Sequence, residues 1–451
     1  MTDPTLLIWQ FLDWSWPGWL FLALVPIFTK AWLYWRSRIF IASSRMVLLE
    51  LRMPREIAKS PRAMEQVLVS IHALRNAAGD FGEVWVDGEI TRSFSLEVVS
   101  FGGEIHFYVR CYYKVRPLVE AAFFSYYQDI ELVEVEDYTE RFPASVNEME
   151  AQGYNLYSCE LALVKDPALP IRWYDEFESP DEAKEYDPVA SLIETFGKTQ
   201  KDQIIALQFV ITPLGPEWRK GREPYLQKLR EEAGGGKQAL AKKTARRNWD
   251  FSLGPLPALR VEEKGAKEDN PFKPFLRTPG EVDTIEAVEK NLAMPAFDTI
   301  IRFLYFSPKE TYYDSFPKRG IIGSLNQYAS LGLNAFWANV KTITLTKYVV
   351  KPYIFPALRA SLKKQRALAY YKERRPAPIM FLEKLMNSHP LNWNFASKGL
   401  ILTTKSLATV FHPPTRHVLT APHVKRLESK KAGPPAGLAI FGEEEGIEQY
   451  Q

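Results

Sequence analysis

From Trp16 to Trp35 the chain runs for about 20 residues with a single charge, Lys30, enough to cross the hydrocarbon core of a bilayer. Tryptophans crowd both ends of the run, with Trp14, Trp16 and Trp19 before it and Trp32 and Trp35 closing it, as an interfacial aromatic belt would. Lys30 lies near one end, where its methylene stem lets the ammonium reach outward. Pro26 is tolerated more readily in a membrane helix than in a soluble one. Arg36, Arg38 and Arg45 come after the run, whereas the preceding segment carries Asp3 and Asp13 and no basic side chain. That asymmetry predicts a transmembrane helix over 16–36, a short N-terminus (1–15) outside, and the remainder in the cytoplasm. A cleaved signal peptide would need a basic start and a small-residue cleavage site, and neither is present. The competing reading is an interfacial or buried hairpin helix.

The rest of the chain reads as folded protein. Apolar residues make up 46% of the sequence, too many for a disordered one. Lysine and arginine total 57 against 54 acidic residues, a net charge of +3, which excludes a strongly cationic nucleic-acid binder but leaves room for local basic patches. Two cysteines, Cys111 and Cys159, make no disulfide framework. Cys111 falls in phase with the apolar side of a predicted strand, as a buried inert thiol would.

Residues 40–150 predict a first domain. Met46–Met53 reads as a strand ended by Pro54, and Ser60-Pro61 starts a helix whose stripe is Met64, Val67, Leu68, Ile71 and Leu74. Phe94, Leu96 and Val98 alternate with Ser95 and Glu97, and Ile105, Phe107, Val109 and Cys111 alternate with His106, Tyr108 and Arg110. Phe101-Gly102-Gly103-Glu104 between them predicts a hairpin turn. Pro117 opens a helix carrying Leu118, Ala121, Ala122 and Tyr126, and a strand runs from Ile130 to Val135. The order β-α-β-β-α-β is that of the ferredoxin-like split unit, a fold that specifies no single chemistry.

Residues 151–411 predict a second α+β domain, of sandwich type. Strands are expected at 156–165, 205–211, 297–306 and 399–411. Helices carry Val189, Leu192, Ile193 and Phe196, then Ile285, Val288 and Leu292, then Ile321, Ile322, Leu325 and Tyr328. A second ferredoxin-like copy lacks a legible middle hairpin, and an open α/β layer competes with it. Residues 214–276, with Gly234-Gly235-Gly236, prolines at 255, 257, 271 and 274 and a basic run, predict a long flexible insertion. Residues 412–451 read as a linker-like tail.

No catalytic or cofactor motif stands out, and the expectation is a non-enzymatic protein with no cofactor and no metal. Gly197-Lys198-Thr199 imitates the end of a phosphate-binding loop, but Leu192 stands where the glycine is required and the triplet ends a helix. His412, His417 and His423 lie in a Pro-rich stretch without ligand partners at a defined spacing. The candidate phosphate contacts are Lys242, Lys243, Arg246 and Arg247, and the basic helix 355–375 with Lys363, Lys364, Arg366, Lys372, Arg374 and Arg375. Either could track DNA phosphates or anionic lipid headgroups, with Trp249, Tyr370 and Tyr371 placed to stack on bases. The plainer alternative is a solvated arm and an ordinary charged helix face.

The stretch Leu402-Thr403-Thr404-Lys405-Ser406-Leu407-Ala408-Thr409-Val410-Phe411-His412-Pro413-Pro414, then Thr420-Ala421-Pro422 and Glu428-Ser429-Lys430-Lys431 with Pro434-Pro435, resembles the lead-in to the motor of membrane-bound type IV secretion and conjugation ATPases of the HerA/FtsK-like class. Met53 to Pro61 with Met64-Glu65, Ile204 to Pro213 and then Trp218, Glu286 to Pro295 and Ile301 to Pro308 are similar to the same family. The resemblance implies a bacterial inner-membrane protein, a hexameric ring and a motor that moves DNA or protein. This sequence departs from the family in holding no Gly-x-x-x-x-Gly-Lys-Ser/Thr, so ATP hydrolysis does not carry over. The implied role is a membrane-anchored platform that docks a separate P-loop ATPase. The alternative is a membrane-tethered nucleic-acid or anionic-lipid binder acting through 242–247 and 355–375.

Overall fold

The apolar run lies inside one long helix, α1 (Pro4–Ser43), with Pro17 and Pro26 in its interior. The computed structural model describes residues 4–54, 59–178, 186–234, 278–345, 354–376 and 395–415. Within α1, Asp13–Ser43 is long and apolar enough to cross a membrane, and none of its most apolar stretch is buried against the rest of the chain. Its C-terminal end docks. Trp32 Nε1 donates to the Trp85 carbonyl at 2.8 Å, in a single π-helical turn, Glu83–Asp87. Gly88 ends that turn at φ +70°, and a Cβ there would sit 2.4 Å from the Arg36 carbonyl carbon, so only glycine allows this approach. Phe81 and Val86 stay exposed beside the docked helix end, with Phe81 stacked on Trp85.

After α1 comes β1 (Met46–Arg52), then α2 (Pro61–Ala73), β2 (Phe94–Phe101), β3 (Glu104–Tyr112), α3 (Arg116–Tyr126) and β4 (Glu131–Val135). Ser60 caps α2, accepting from the Arg62 amide, and Gly102 and Gly103 take positive φ in the hairpin turn, as expected. A short helix α4 (Val146–Ala151) leads to β5 (Tyr154–Leu163), α5 (Ala190–Gly197) and β6 (Ile204–Pro213). Then come α6 (Glu223–Gly234), α7 (Pro279–Ala293), β7 (Ala296–Pro308), α8 (Ser315–Asn326), β8 (Phe336–Ala338), α9 (Pro356–Glu373), β9 (Leu400–Thr403) and α10 (Thr404–Val410).

All described strands join one antiparallel sheet in the order β4-β1-β3-β2-β6-β7-β5-β8, with β9 beside the first half of β7. The boundary near residue 150 therefore divides the chain but not the sheet, and one apolar core draws on both sides of it. The order has an internal logic. The first four strands run β4-β1-β3-β2, and the next four run β8-β5-β7-β6, the same arrangement in the same chain order. The two sets meet through their second strands, β2 and β6, paired antiparallel from Phe94↔Ile211 to Phe101↔Ile204. The second set is hidden in the sequence by its middle connection. The tight turn between β2 and β3 is replaced between β6 and β7 by residues 214–295.

On one face of the sheet pack α2, α3, α5, α8 and α10, through Met64, Leu68, Phe123, Ile193, Leu325, Leu407 and their neighbours. Each such fully buried side chain contributes about 1.5–3 kcal/mol relative to exposure. The other face is covered by α4 and α9, through Met149, Leu368 and Tyr371.

Three expectations need correction. In α3 the buried residues are Val119, Ala122 and Phe123, while Leu118 is exposed, because the helix is rotated from the apolar stripe drawn for it. The last strand is only Leu400–Thr403. The next residues form α10, buried except at Lys405 and so with almost none of the solvent-facing side that distinguishes a helix from a core strand. The expected insertion is ordered through α6, which packs with Trp218 against Val288 and Leu292 of α7 and pairs Arg230 with Glu289 at 2.7 Å.

Candidate functional site

Six strands place one residue each in a straight row across the sheet. Glu50 of β1 lies opposite Tyr108 of β3, Tyr108 opposite Glu97 of β2, Glu97 opposite Gln208 of β6, Gln208 opposite Arg302 of β7, and Arg302 opposite Glu160 of β5. Side chains alternate across a strand, so residues in register point to the same face. Here that face is the one under α9, and all six are buried. The row runs through the junction between the two strand sets, with Glu97 and Gln208 as counterparts and Glu50 and Glu160 at its ends.

Buried charges must be paired and hydrogen-bonded to be tolerated. Arg374, which ends α9 in a left-handed conformation at φ +48°, supplies the pairing for Glu97, with Nε on Oε1 at 2.7 Å and Nη2 on Oε2 at 3.2 Å. The same guanidinium holds Asp137 at 2.5 and 2.9 Å. Ser95 Oγ and the Tyr138 hydroxyl also donate to Glu97. Because Tyr138 spends its one proton there, the Tyr371 hydroxyl, 2.5 Å away, donates to Tyr138 in turn. Gln208 Nε2 reaches Glu97 and the Tyr371 carbonyl, both at 3.2 Å. Burial alone would raise the pKa of Glu97, but the charge and hydrogen bonds of Arg374 outweigh it and hold the carboxyl below its ordinary value. Asp137 is likewise held low against its burial by Arg374.

The second strand set has a parallel arrangement. Arg302 Nε donates to Glu160 at 3.0 Å and its Nη1 to the Tyr370 carbonyl at 3.3 Å, while Ser397 Oγ closes on the other oxygen of Glu160 at 2.5 Å. Burial lowers the pKa of Arg302, with Glu160 opposing it. At the far end Glu50 meets His106 Nδ1 at 2.6 Å. Most of the row's charge is thus balanced internally, and its evident consequence is to key α9 to one position on the sheet.

Beyond Arg374 the roof of the row opens into a cleft of about 330 Å3, between the end of α1, the start of β2 and the end of β3. Five arginines line it, Arg38, Arg92, Arg110, Arg374 and Arg375, with Glu373 as the one acidic lining residue. Arg38 and Arg375 share Glu373, at 3.8 and 2.6 Å. Arg92 lies over the rings of Phe40 and Tyr112 and 3.7 Å from Glu89. The Arg110 guanidinium makes no hydrogen bond or ion pair among the described residues. Burial, and then the like charge of Arg374, push its pKa down to about 10.

The sequence-derived candidates fall elsewhere than expected. Lys363 and Arg374 are buried and Lys364, Arg366, Lys372 and Arg375 half-buried, so helix 355–375 is no fully solvated basic face, although Arg374 and Arg375 line the cleft. Lys364 Nζ binds Asn155 Oδ1 at 2.7 Å, Lys372 Nζ the Phe142 carbonyl at 3.0 Å, and Arg366 lies over Phe395. Lys363 is fully buried, and its pKa is pushed down to about 8 by burial and by Arg359. Tyr370 and Tyr371 are core residues, blocked from stacking on bases. Lys242, Lys243, Arg246, Arg247, Trp249, His417 and His423 lie outside the described residues, as does the resemblance beyond residue 415. Trp16, Trp19 and Trp35 are exposed on α1, whereas Trp32 docks. His412 is buried, bonded to Asp187 at 2.9 Å and to the Ala408 carbonyl at 2.7 Å. No cluster of three or more His, Cys, Asp or Glu suited to a metal occurs among the described residues. Gly197-Lys198-Thr199 ends α5. No family model and no curated protein matches this chain.

The row escapes a reading of the sequence because charged residues at alternate strand positions look like a solvated face. A signal is nonetheless present, since Glu50, Glu97, Glu160 and Arg302 each sit in the middle of a strand.

Proposed function

We propose that this chain is a non-enzymatic, membrane-anchored platform that docks a separate P-loop ATPase in a type IV secretion or conjugation-like apparatus of a bacterial inner membrane. In this reading α1 spans the bilayer with the N-terminus outside and the sheet in the cytoplasm. Each set of four strands is a ferredoxin-like unit, and the pair forms one rigid body. The observation that carries the reading is α1 itself, unburied over its most apolar stretch within Asp13–Ser43 yet fixed at its C-terminal end by Trp32 and by the Gly88 approach to Arg36. A helix so joined transmits the membrane's position to the sheet instead of tethering it loosely.

The docking face we favour is the β8 end of the sheet, where the three-residue edge strand leaves Trp337 exposed beside Val164, Leu331 and Val340. Short apolar edges of this kind suit addition of a partner. The hexamer and the DNA substrate come from the resemblance and belong to the same proposal. The test is a mild-detergent pull-down of the full chain from its native membranes, read by mass spectrometry. A P-loop ATPase is expected with the wild type and not with Trp337→Asp. Recovery without any ATPase, under conditions that keep other membrane complexes together, would sink the platform reading.

A further inference from the structure

The five arginines of the cleft are set apart from the chain's other cations by position. Trp35 closes the aromatic belt, and Phe40 of the cleft lies five positions later, roughly 8 Å along the helix axis. If α1 spans the membrane, that is the depth of the lipid headgroups. Trp85 and Phe81, beside Trp32, bring the domain against the helix about 12 Å before Phe40.

The lining is mixed in a way that suits one chemistry. Arg110 brings a guanidinium with no hydrogen bond or ion pair among the described residues, within electrostatic reach of Glu97 and Asp137, and Ser44, Thr91 and Ser93 bring hydroxyls. Phe40, Ile41, Met46 and Ile90 supply apolar walls, and Ile41 is exposed on the helix. Arginine's planar fork matches phosphate oxygens, and Arg110, with Arg374 beside it already committed to Glu97 and Asp137, keeps its own donors free of a direct partner for such an anion. The volume, about 330 Å3, admits a phosphate with a short apolar attachment.

We propose that this cleft binds a phosphate group at headgroup depth, with Arg110 as the central contact and Arg375 and Arg38 at its rim. An anionic phospholipid and a soluble phosphate share that chemistry. The apolar walls favour the lipid. The site rests on the membrane anchor of the proposed function, but not on the ATPase.

The test uses the full chain in neutral detergent, with bound ligand counted by native mass spectrometry. The probes are phosphatidic acid, zwitterionic phosphatidylcholine and inorganic phosphate. Wild type should retain phosphatidic acid in preference to phosphatidylcholine. Arg110→Gln should weaken retention about tenfold or more, the loss of a charge-assisted bond. Lys201→Gln, an exposed cation elsewhere, should behave as wild type. Displacement of the lipid by millimolar inorganic phosphate assigns the site to soluble phosphate, and its persistence assigns it to the headgroup. Equal retention of the two lipids, retention unchanged in a folded Arg110→Gln protein, or binding of neither phosphatidic acid nor inorganic phosphate would overturn the proposal. Should Arg110→Gln fail to fold, Arg375→Gln at the rim takes its place, with a severalfold loss expected and no loss counting against the site. Because the assay is run in micelles, it reads the cleft even if the chain proves not to span a bilayer, an outcome that membrane fractionation would show separately.

Discussion

On one face of the sheet Leu49, Leu96, Val109, Leu207 and Ile301 meet five helices, and specificity there is a matter of shape. On the other face Glu50, Tyr108, Glu97, Gln208, Arg302 and Glu160 meet essentially one helix, α9, and specificity there is a matter of pairing. The apolar face tolerates volume-conserving changes, since each side chain is held by many weak contacts. The polar face holds α9 in one register, because any slip would leave buried charges without partners.

Four kinds of substitution would break or sharpen that contrast, each measured by denaturant unfolding of the full chain in detergent. Arg374→Met should have the largest effect, about 3–5 kcal/mol, since it strands the fully buried Glu97 carboxylate. Adding Glu97→Leu should then cost less than the sum of the two single changes, by on the order of 0.5–3 kcal/mol. Strict additivity would mean that the pair does not key the roof. Leu68→Ala, on the apolar face, should cost about 2–5 kcal/mol through the cavity it leaves.

Behind the apolar face, among the described residues, Asp187 and His412 form a fully buried pair. Burial would raise the Asp187 carboxyl, but His412 and the Val189 and Thr415 amides hold it at about 2. A depressed carboxylate stabilises the fold above its unfolded pKa, near 4, and that contribution is lost as pH falls toward 2. Asp187→Asn should therefore cost roughly 2 kcal/mol near neutrality and flatten the acid limb of the stability profile between those values. A profile identical to wild type would remove Asp187 from the acid response. Leu118→Ser should shift stability by no more than about 0.5 kcal/mol, since Leu118 faces solvent. A loss of several kcal/mol would mean that α3 is packed on the stripe drawn from the sequence.

Local signals place most elements well. Ser60-Pro61 marks a helix start, Gly102-Gly103 marks the hairpin, and alternation finds β2 and β3. Failures come where burial is two-sided. Thr404–Val410 loses its helical signature because every residue from Ser406 to Val410 is inside. The repeated strand arrangement is illegible because β6 and β7, neighbours in space, are separated by residues 214–295. The candidate phosphate helix is legible as a helix, but which of its basic residues pack inward is not, since a basic stripe reads the same whether it faces water or, as with Lys364, Lys372 and Arg374, polar partners of the fold.

What the sequence determines by itself is local: the apolar helix, the period of each strand and the residues that start and stop them. These come from side-chain spacing and backbone preference within a few positions. Which side of a strand is wet was decided only by the tertiary structure. Glu97 is an ordinary outward-facing strand residue until Arg374, 277 positions later, is laid over it. The cleft at the foot of α1 likewise exists only because residues 38–46, 90–93, 110 and 373–376 are brought to one place by sheet pairing and by the roof helix, and no window along the chain contains them together.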